Sequence, residues 1–239
     1  MIPWLSENNY VFPSIELALN EPNGLLAAGG DLSPGRLVAA YKKGIFPWYS
    51  EQDPILWWSP APRCILPLKN LHISKSLAKL IRKQTFQITF DNDFQQVMGQ
   101  CSQLRQHQEG TWITDEMQAA YYQLYLQGTA HSVEVWQDDA LVGGLYGIAI
   151  GNIFFGESMF SKATNSSKVA FCYLVNQLKD WNFSIIDCQL HSNHLQSLGA
   201  IEVDRQTFQV YLDNINSTPV AIPSLHWSCD IQINPVSTV

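Results

Sequence analysis

A chain of 239 residues, 46% of them hydrophobic, has the material for one large folded domain or one domain with a small appendage, and its hydrophobic fraction excludes a disordered chain. There is no apolar run of 18 residues, and Met1–Asn9 has neither basic residues nor a long apolar stretch, which excludes a membrane span and a signal peptide and leads us to expect a cytoplasmic protein. The net charge of −7 argues against nucleic-acid binding unless basic residues cluster, and five cysteines (64, 101, 172, 188 and 229) without a Cys-x-x-Cys spacing read as reduced thiols.

The first 63 residues hold eight of the twelve prolines and four of the eight tryptophans, Trp4, Trp48, Trp57 and Trp58. Ser33-Pro34 predicts a helix start, Leu37, Val38, Ala40 and Tyr41 continue it, and Gly44 stops it. The rest of this stretch reads as turn-rich aromatic chain, so a small N-terminal domain is expected over residues 1–63, ahead of a main domain over 64–239. A helix is predicted over 71–84, with Leu77, Leu80 and Ile81 facing inward. Lys75, Lys79, Arg82 and Lys83 form one basic stripe along it, which reads either as a solvated face or as a contact to a phosphate backbone. A second helix follows Asp91 or Asp93 and buries Phe94, Val97, Met98 and Cys101. A third has Thr114 as its cap, Asp115 and Glu116 in its first turn, Ala120, Tyr121 and Leu124 inward, and Gly128 at its end.

The pattern then changes to strands. His131–Trp136 alternates, Leu141–Ile150 is a glycine-rich strand, Gly151-Asn152 is a turn and Ile153–Phe160 is another strand, which together make an antiparallel meander. A helix is expected over 166–180, a strand over 183–189, a short helix capped by Ser192 and stopped by Gly199, and a last helix from Asp204. The order predicts an α/β (α+β) fold with a mixed, largely antiparallel sheet flanked by helices.

The motif Gly143-Gly-Leu-Tyr-Gly147 has neither the spacing of a dinucleotide fingerprint nor the Lys-Ser/Thr of a phosphate loop. Cys188, His191 and His194 fall short of a four-ligand zinc set. No Gly-x-Ser-x-Gly marks a nucleophile. Two carboxylates remain. Glu157 and Asp187 each follow an apolar strand, and a carboxylate at the end of a buried strand costs free energy unless something pairs with it or uses it. Asp187 and Gln189, two apart, are expected on one face with Cys188 opposite. Capping or turn roles are the alternative for both carboxylates.

Several long, unusual strings resemble the leucyl/phenylalanyl-tRNA–protein transferase family: Glu21-Pro-Asn-Gly-Leu-Leu-Ala27, Gly29-Gly-Asp-Leu-Ser33, Gly44-Ile-Phe-Pro-Trp48, Trp57-Trp-Ser-Pro60, Gly110-Thr-Trp-Ile-Thr114, Ala130–Trp136, Leu141-Val-Gly-Gly144, Gly156–Ser161 and Asp187-Cys-Gln189. The resemblance runs from about Phe12 to Phe208. It implies a GNAT-like acyltransferase domain and transfer of Leu or Phe, less readily Met, from aminoacyl-tRNA to proteins with N-terminal Arg or Lys, with no cofactor and no metal, in a monomer. It further implies that Asp187 polarises Gln189, whose carbonyl oxygen receives the amine N–H, with the ribose hydroxyl of the tRNA as the other candidate for the proton. Glu157 with Asp187 would form a negative mouth for the acceptor's basic side chain. Leu145, Phe154, Met159, Leu174, Leu178 and Ile186 would line an apolar pocket, with leucines at 174 and 178 where relatives are expected to carry aromatics. Trp48 and Trp112 would stack on the terminal adenosine, and the stripe Lys75, Lys79, Arg82 and Lys83 would meet the tRNA stem. Two further readings stay open. One is an acetyltransferase using coenzyme A, for which 161–168 is the candidate pyrophosphate loop although it lacks glycines. The other is a reader of basic N-termini without chemistry.

Overall fold

The proline-rich start of the chain folds as a small sheet. In the computed structural model, which describes residues 2–7, 9–106, 112–221 and 225–228, β1 (Trp4–Leu5), β2 (Leu25–Gly29), β3 (Phe46–Pro47) and β4 (Leu56–Trp58) pair in the order β1-β2-β4-β3. Strands of two to five residues are too short to display a period of two, so only the helix α1 (Pro34–Tyr41) is visible to sequence periodicity. The fully buried Trp57 ties the sheet together through its indole N–H, which donates to the Gly29 carbonyl at 2.9 Å. Ser33 precedes Pro34 as expected but makes no side-chain cap; its backbone N–H donates to Asp31 Oδ1 instead.

The chain continues through β5 (Arg63–Pro67), α2 (Lys75–Arg82), β6 (Gln87–Phe90), α3 (Phe94–Gln106), α4 (Asp115–Leu126), β7 (Ala130–Gln137), β8 (Ala140–Ile150), β9 (Ile153–Ser161), α5 (Ser166–Asp180), β10 (Ile185–Gln189), α6 (Asn193–Gln196), β11 (Ile201–Val203) and α7 (Arg205–Asp213). Seven strands form one sheet in the order β11-β5-β10-β9-β8-β7-β6. Within it only the β9–β10 pair is parallel, so the sheet is mixed and largely antiparallel as expected. The predicted caps form: Thr114, Ser192 and Asp204 accept from Met117, Leu195 and Thr207. Strands β5, β6 and β11 are absent from the sequence reading. All five residues of β5 are buried, so it shows no alternation.

Helices cover both faces. α3 and α4 pack on one, sharing a core with α1 and the small sheet through residues such as Leu37, Trp57, Phe94, Tyr121 and Phe155. α5 and α2 cover the other, with Leu77, Ile81, Phe154, Leu174 and Ile186 in the core. The glycines of β8 serve this packing. A Cβ on Gly143 would lie 2.3 Å from Ser166 Oγ at the start of α5, so the glycine lets helix and strand meet closely. The string 130–136 is structural too: buried Glu134 accepts from Ser132 and Thr89 hydroxyls, and His131 bonds Asp91 at 2.8 Å while stacking on Trp227. Gly110, Thr111 and Cys229 lie outside the described residues.

Candidate active site

The site forms where the parallel pair of strands in the seven-stranded sheet, β9 and β10, comes apart. β9 and β10 are in register as far as Phe155 opposite Asp187. Beyond that point each strand is distorted against its other neighbour. Against β8, Ser158 pairs with Tyr146 and Gly156 with Gly147, so Glu157 is an extra residue in a bulge. Against β5, Asp187 pairs with Ile65 and Gln189 with Cys64, so Cys188 is extra. Bulges break the alternation of side chains and re-aim them. The two here open a cavity of about 730 Å³ between the diverging strands, within the usual range for ligand pockets of about 300–1,000 Å³.

Its walls contain most of the expected residues. Leu145, Phe154, Met159, Leu174 and Ile186 supply apolar surface, Glu157 and Gln189 supply polar groups, and Trp48 and Trp112 also border it. Leu178 does not line it. That residue is fully buried one helical turn further along α5, and Phe171, three residues before Leu174, faces the cavity instead. The pocket thus keeps an aromatic wall, at a different helical position from those the resemblance suggests. Phe46, His191 and His194 also line it; Phe46 belongs to one of the family-like strings, and the two histidines figure in the sequence only as part of an incomplete zinc set. Among the described residues, no group of three or more His, Cys, Asp and Glu side chains converges as a metal cluster would.

Asp187 is placed differently from expectation. Its carboxylate is fully buried and receives two bonds from Arg63, Nε to Oδ1 at 2.8 Å and an Nη to Oδ2 at 2.7 Å. The Arg63 guanidinium lies between the rings of Phe46 and Phe208, 5.0 and 4.8 Å from their centroids. Asp187 does meet Gln189, but through the backbone, whose N–H donates to Oδ1 at 3.0 Å. That bond fixes Gln189 in a left-handed conformation, φ +56°, which turns its side chain into the cavity beside that of Cys188. Asp187 and Gln189 therefore do not share a face. Nor does Asp187 contribute to a negative mouth, since its charge is matched by Arg63 below the surface. Arg63 carries no local signal: it sits on an unrecognised strand, 124 residues from its partner.

Glu157 is the carboxylate that reaches the cavity. Tyr41 Oη donates to Oε1 at 2.6 Å, Tyr121 Oη to Oε2 at 3.0 Å, and Gln189 Nε2 approaches Oε1 at 3.4 Å. The two tyrosine hydroxyls also bond each other. Burial pushes the Glu157 carboxyl up to about 7, against the pull of the tyrosine hydrogen bonds in the other direction. Burial and the nearby carboxylate hold both tyrosines well above their ordinary value, so they remain protonated.

On the outer face, Lys75, Lys79, Arg82 and the following Lys83 are exposed along α2. A second hollow of about 530 Å³, lined by Tyr49, Glu51, Asp53, Ile113, Asp115 and Glu116 among others, involves the chain neighbours of Trp48 and Trp112. No helix of the described residues is long and apolar enough to cross a membrane.

Comparison with known proteins gives a consistent result. The leucyl/phenylalanyl-tRNA protein transferase family matches residues 65–213, and the N-terminal domain of the same family matches residues 30–61. A leucyl/phenylalanyl-tRNA–protein transferase of Cellvibrio japonicus is 56% identical over 227 residues, covering 95% of this chain and 96% of that protein. One from Pseudomonas paraeruginosa is 58% identical over 212 residues, covering 89% and 94%. Among solved structures, an aminoglycoside acetyltransferase from an uncultured soil metagenomic sample covers 48% of this chain and 84% of its own at 12% identity and a TM-score of 0.38. L-PGS from Bacillus licheniformis covers 79% and 59%, also at 12% identity, with a TM-score of 0.39. Both are too distant to bear on the site.

Proposed function

Because the chain belongs to the leucyl/phenylalanyl-tRNA–protein transferase family, we propose that it moves Leu or Phe, and Met less readily, from charged tRNA to the α-amino group of proteins beginning with Arg or Lys, marking them for N-degron degradation. By family it is an aminoacyltransferase. The observation that supports the chemistry is the apolar cavity between β9 and β10, with Glu157 and Gln189 together in its wall.

An aminoacyl ester is an activated acyl donor, so amide formation from it is downhill and requires no ATP. The nucleophile is an α-amino group of ordinary pKa about 7.7–8.0, a fair fraction of which is neutral near pH 7. Catalysis then consists mainly of alignment. Leu and Phe share bulk and lack polarity, which suits a wall of Leu145, Phe154, Met159, Phe171 and Leu174. Gln189 donates its amide N–H to Glu157, which leaves its carbonyl oxygen to accept from the incoming amine. Arg63 and Asp187 act beneath it as positioning residues, holding the backbone turn that presents Gln189. Trp48, 41% exposed, and Trp112 are suited to stack on the terminal adenosine. The α2 stripe is suited to the phosphates of the stem. The acceptor's positive side chain is favoured by the net charge of −7 and by the acidic lining of the hollow beside the tryptophans. The expected domain boundary at 63/64 falls inside β5, and because Arg63 pairs with Val203 in the large sheet we propose that the small N-terminal domain ends just before that strand; we place the protein in the cytoplasm as a monomer.

The test is incubation with tRNA charged with labelled Leu and a peptide starting with Arg. Label on the peptide is the expected result. Peptide binding without transfer would overturn the assignment, as would transfer only from acetyl-coenzyme A.

A further inference from the structure

Glu157, in the wall of the cavity, meets two buried tyrosine hydroxyls behind it, and the hydrogens of these three groups can be counted. Tyr41 bonds Glu157 Oε1 at 2.6 Å, Tyr121 bonds Oε2 at 3.0 Å, and the two hydroxyls bond each other. Three such contacts require three hydrogens. The tyrosines supply two, so the closed ring is complete only when the third is on the carboxyl group. Oε2–H then donates to Tyr121, Tyr121 to Tyr41, and Tyr41 to Oε1. When Glu157 is ionised, both hydroxyls turn to the carboxylate, and the amide of Gln189 adds a third, longer contact at 3.4 Å. The cluster is therefore satisfied with or without one proton, a property that a group reading a fixed positive charge does not need.

We propose that Glu157 is a catalytic residue that carries the proton from the attacking amine to the departing ribose oxygen, with Tyr41 and Tyr121 as its positioning residues. This rests on the transferase reading. In the step, the amine nitrogen bonds to the ester carbonyl carbon and the bond from that carbon to the ribose oxygen breaks. The N–H proton passes to the Glu157 carboxylate and from there to the ribose oxygen, so the carboxyl ends as it began. The carboxylate reaches the cavity because the bulge in β9 turns it there, and Gln189, the group that orients the amine, touches it. The titratable and charged groups around it are Tyr41 from α1, Tyr121 from α4, Tyr146 from β8 beside Tyr121, and the Asp187–Arg63 pair from β10 and β5. The last two offset each other. Glu157 is thus left with a proton affinity close to that of the amine it serves, the matching that general acid–base transfer favours.

The test is steady-state transfer from leucyl-tRNA to an Arg-starting peptide between pH 5.5 and 9, for the unmodified protein, Glu157→Gln and the double variant Tyr41→Phe/Tyr121→Phe. The unmodified protein should show kcat rising through an apparent pKa near 7. Glu157→Gln should lose that limb and about 100-fold or more in kcat, with KM for the peptide within about threefold. The double variant should keep the limb but move it to higher pH, because the donors that stabilise the ionised form are gone. A raised KM at unchanged kcat in Glu157→Gln would overturn the proposal and make Glu157 a reader of the basic side chain. An unmoved limb in both variants would also overturn it. Absence of transfer by the unmodified protein, by contrast, would overturn the transferase reading itself.

Discussion

Replacing Arg63 by Met tests the support beneath the site most directly. The substitution removes both hydrogen bonds to Asp187, at 2.8 and 2.7 Å, and the cationic contacts to Phe46 and Phe208, while leaving an aliphatic chain of similar length. Asp187, with no solvent exposure, is then left with the Gln189 N–H as its remaining donor. An uncompensated buried charge of this kind costs about 3–5 kcal/mol. At roughly 2–4 °C per kcal/mol for a chain of this size, the melting temperature should fall by about 6–20 °C. Removing the second charge as well, in Arg63→Met/Asp187→Leu, should recover most of that loss, because an apolar pair of similar volume has no desolvation penalty. Activity should not return with stability. The double variant has no oxygen to accept the Gln189 N–H and hold its left-handed turn, so kcat should stay at least tenfold down. Thermal unfolding followed by circular dichroism and single-turnover transfer, run on the two single variants and the double, complete the cycle. Additive stability losses, or full transfer by the double variant, would refute the positioning role.

Other outcomes follow from the same structure. Glu157 has its folded pKa raised from 4.5 to about 7, so the folded state binds this proton more tightly than the unfolded chain. Its contribution is favourable at low pH and is lost as pH rises from about 4.5 to 7, a change of about 3–4 kcal/mol at most; Glu157→Gln should flatten that part of the stability–pH curve measured by urea unfolding, and an unchanged slope would assign it to other groups. Lys79→Glu with Arg82→Glu should weaken tRNA binding and lower the slope of log affinity against log salt by about 1.4–1.8, if each residue neutralises one phosphate; filter binding between 50 and 200 mM salt reads this, and an unchanged slope returns α2 to a solvated face. Leu174→Trp should narrow the cavity and reduce kcat/KM for Phe about tenfold more than for Leu, seen by competition between the two charged tRNAs. Trp48→Ala should raise the KM for charged tRNA by about 5- to 150-fold, the loss of one stacked base, with the peptide KM unchanged.

The local chemistry of the chain was open to reading from sequence. Thr114, Ser192 and Asp204 announce helix starts because a short polar side chain before an apolar period has few other uses, and the meander over 130–161 shows its alternation because its strands are long. Glu157 and Asp187 stood out because carboxylates at the ends of apolar strands demand a partner or a task; Asp187 has its partner in Arg63, and Glu157 reaches the cavity, where Gln189 meets it. The tertiary structure decided what those groups face. The bulges that place Glu157 and Cys188 out of register depend on how four strands pair, and pairing between residues 65 and 187, or 146 and 158, leaves no mark in either segment alone. The same is true of Arg63, which lies on a buried strand too short and too uniform to show a period, and of Tyr41 and Tyr121, which look like ordinary inward residues on two helices. Helical and strand periods report which side of an element avoids water. They say nothing about which distant side chain waits on that side, and a charge or a proton is governed by that neighbour.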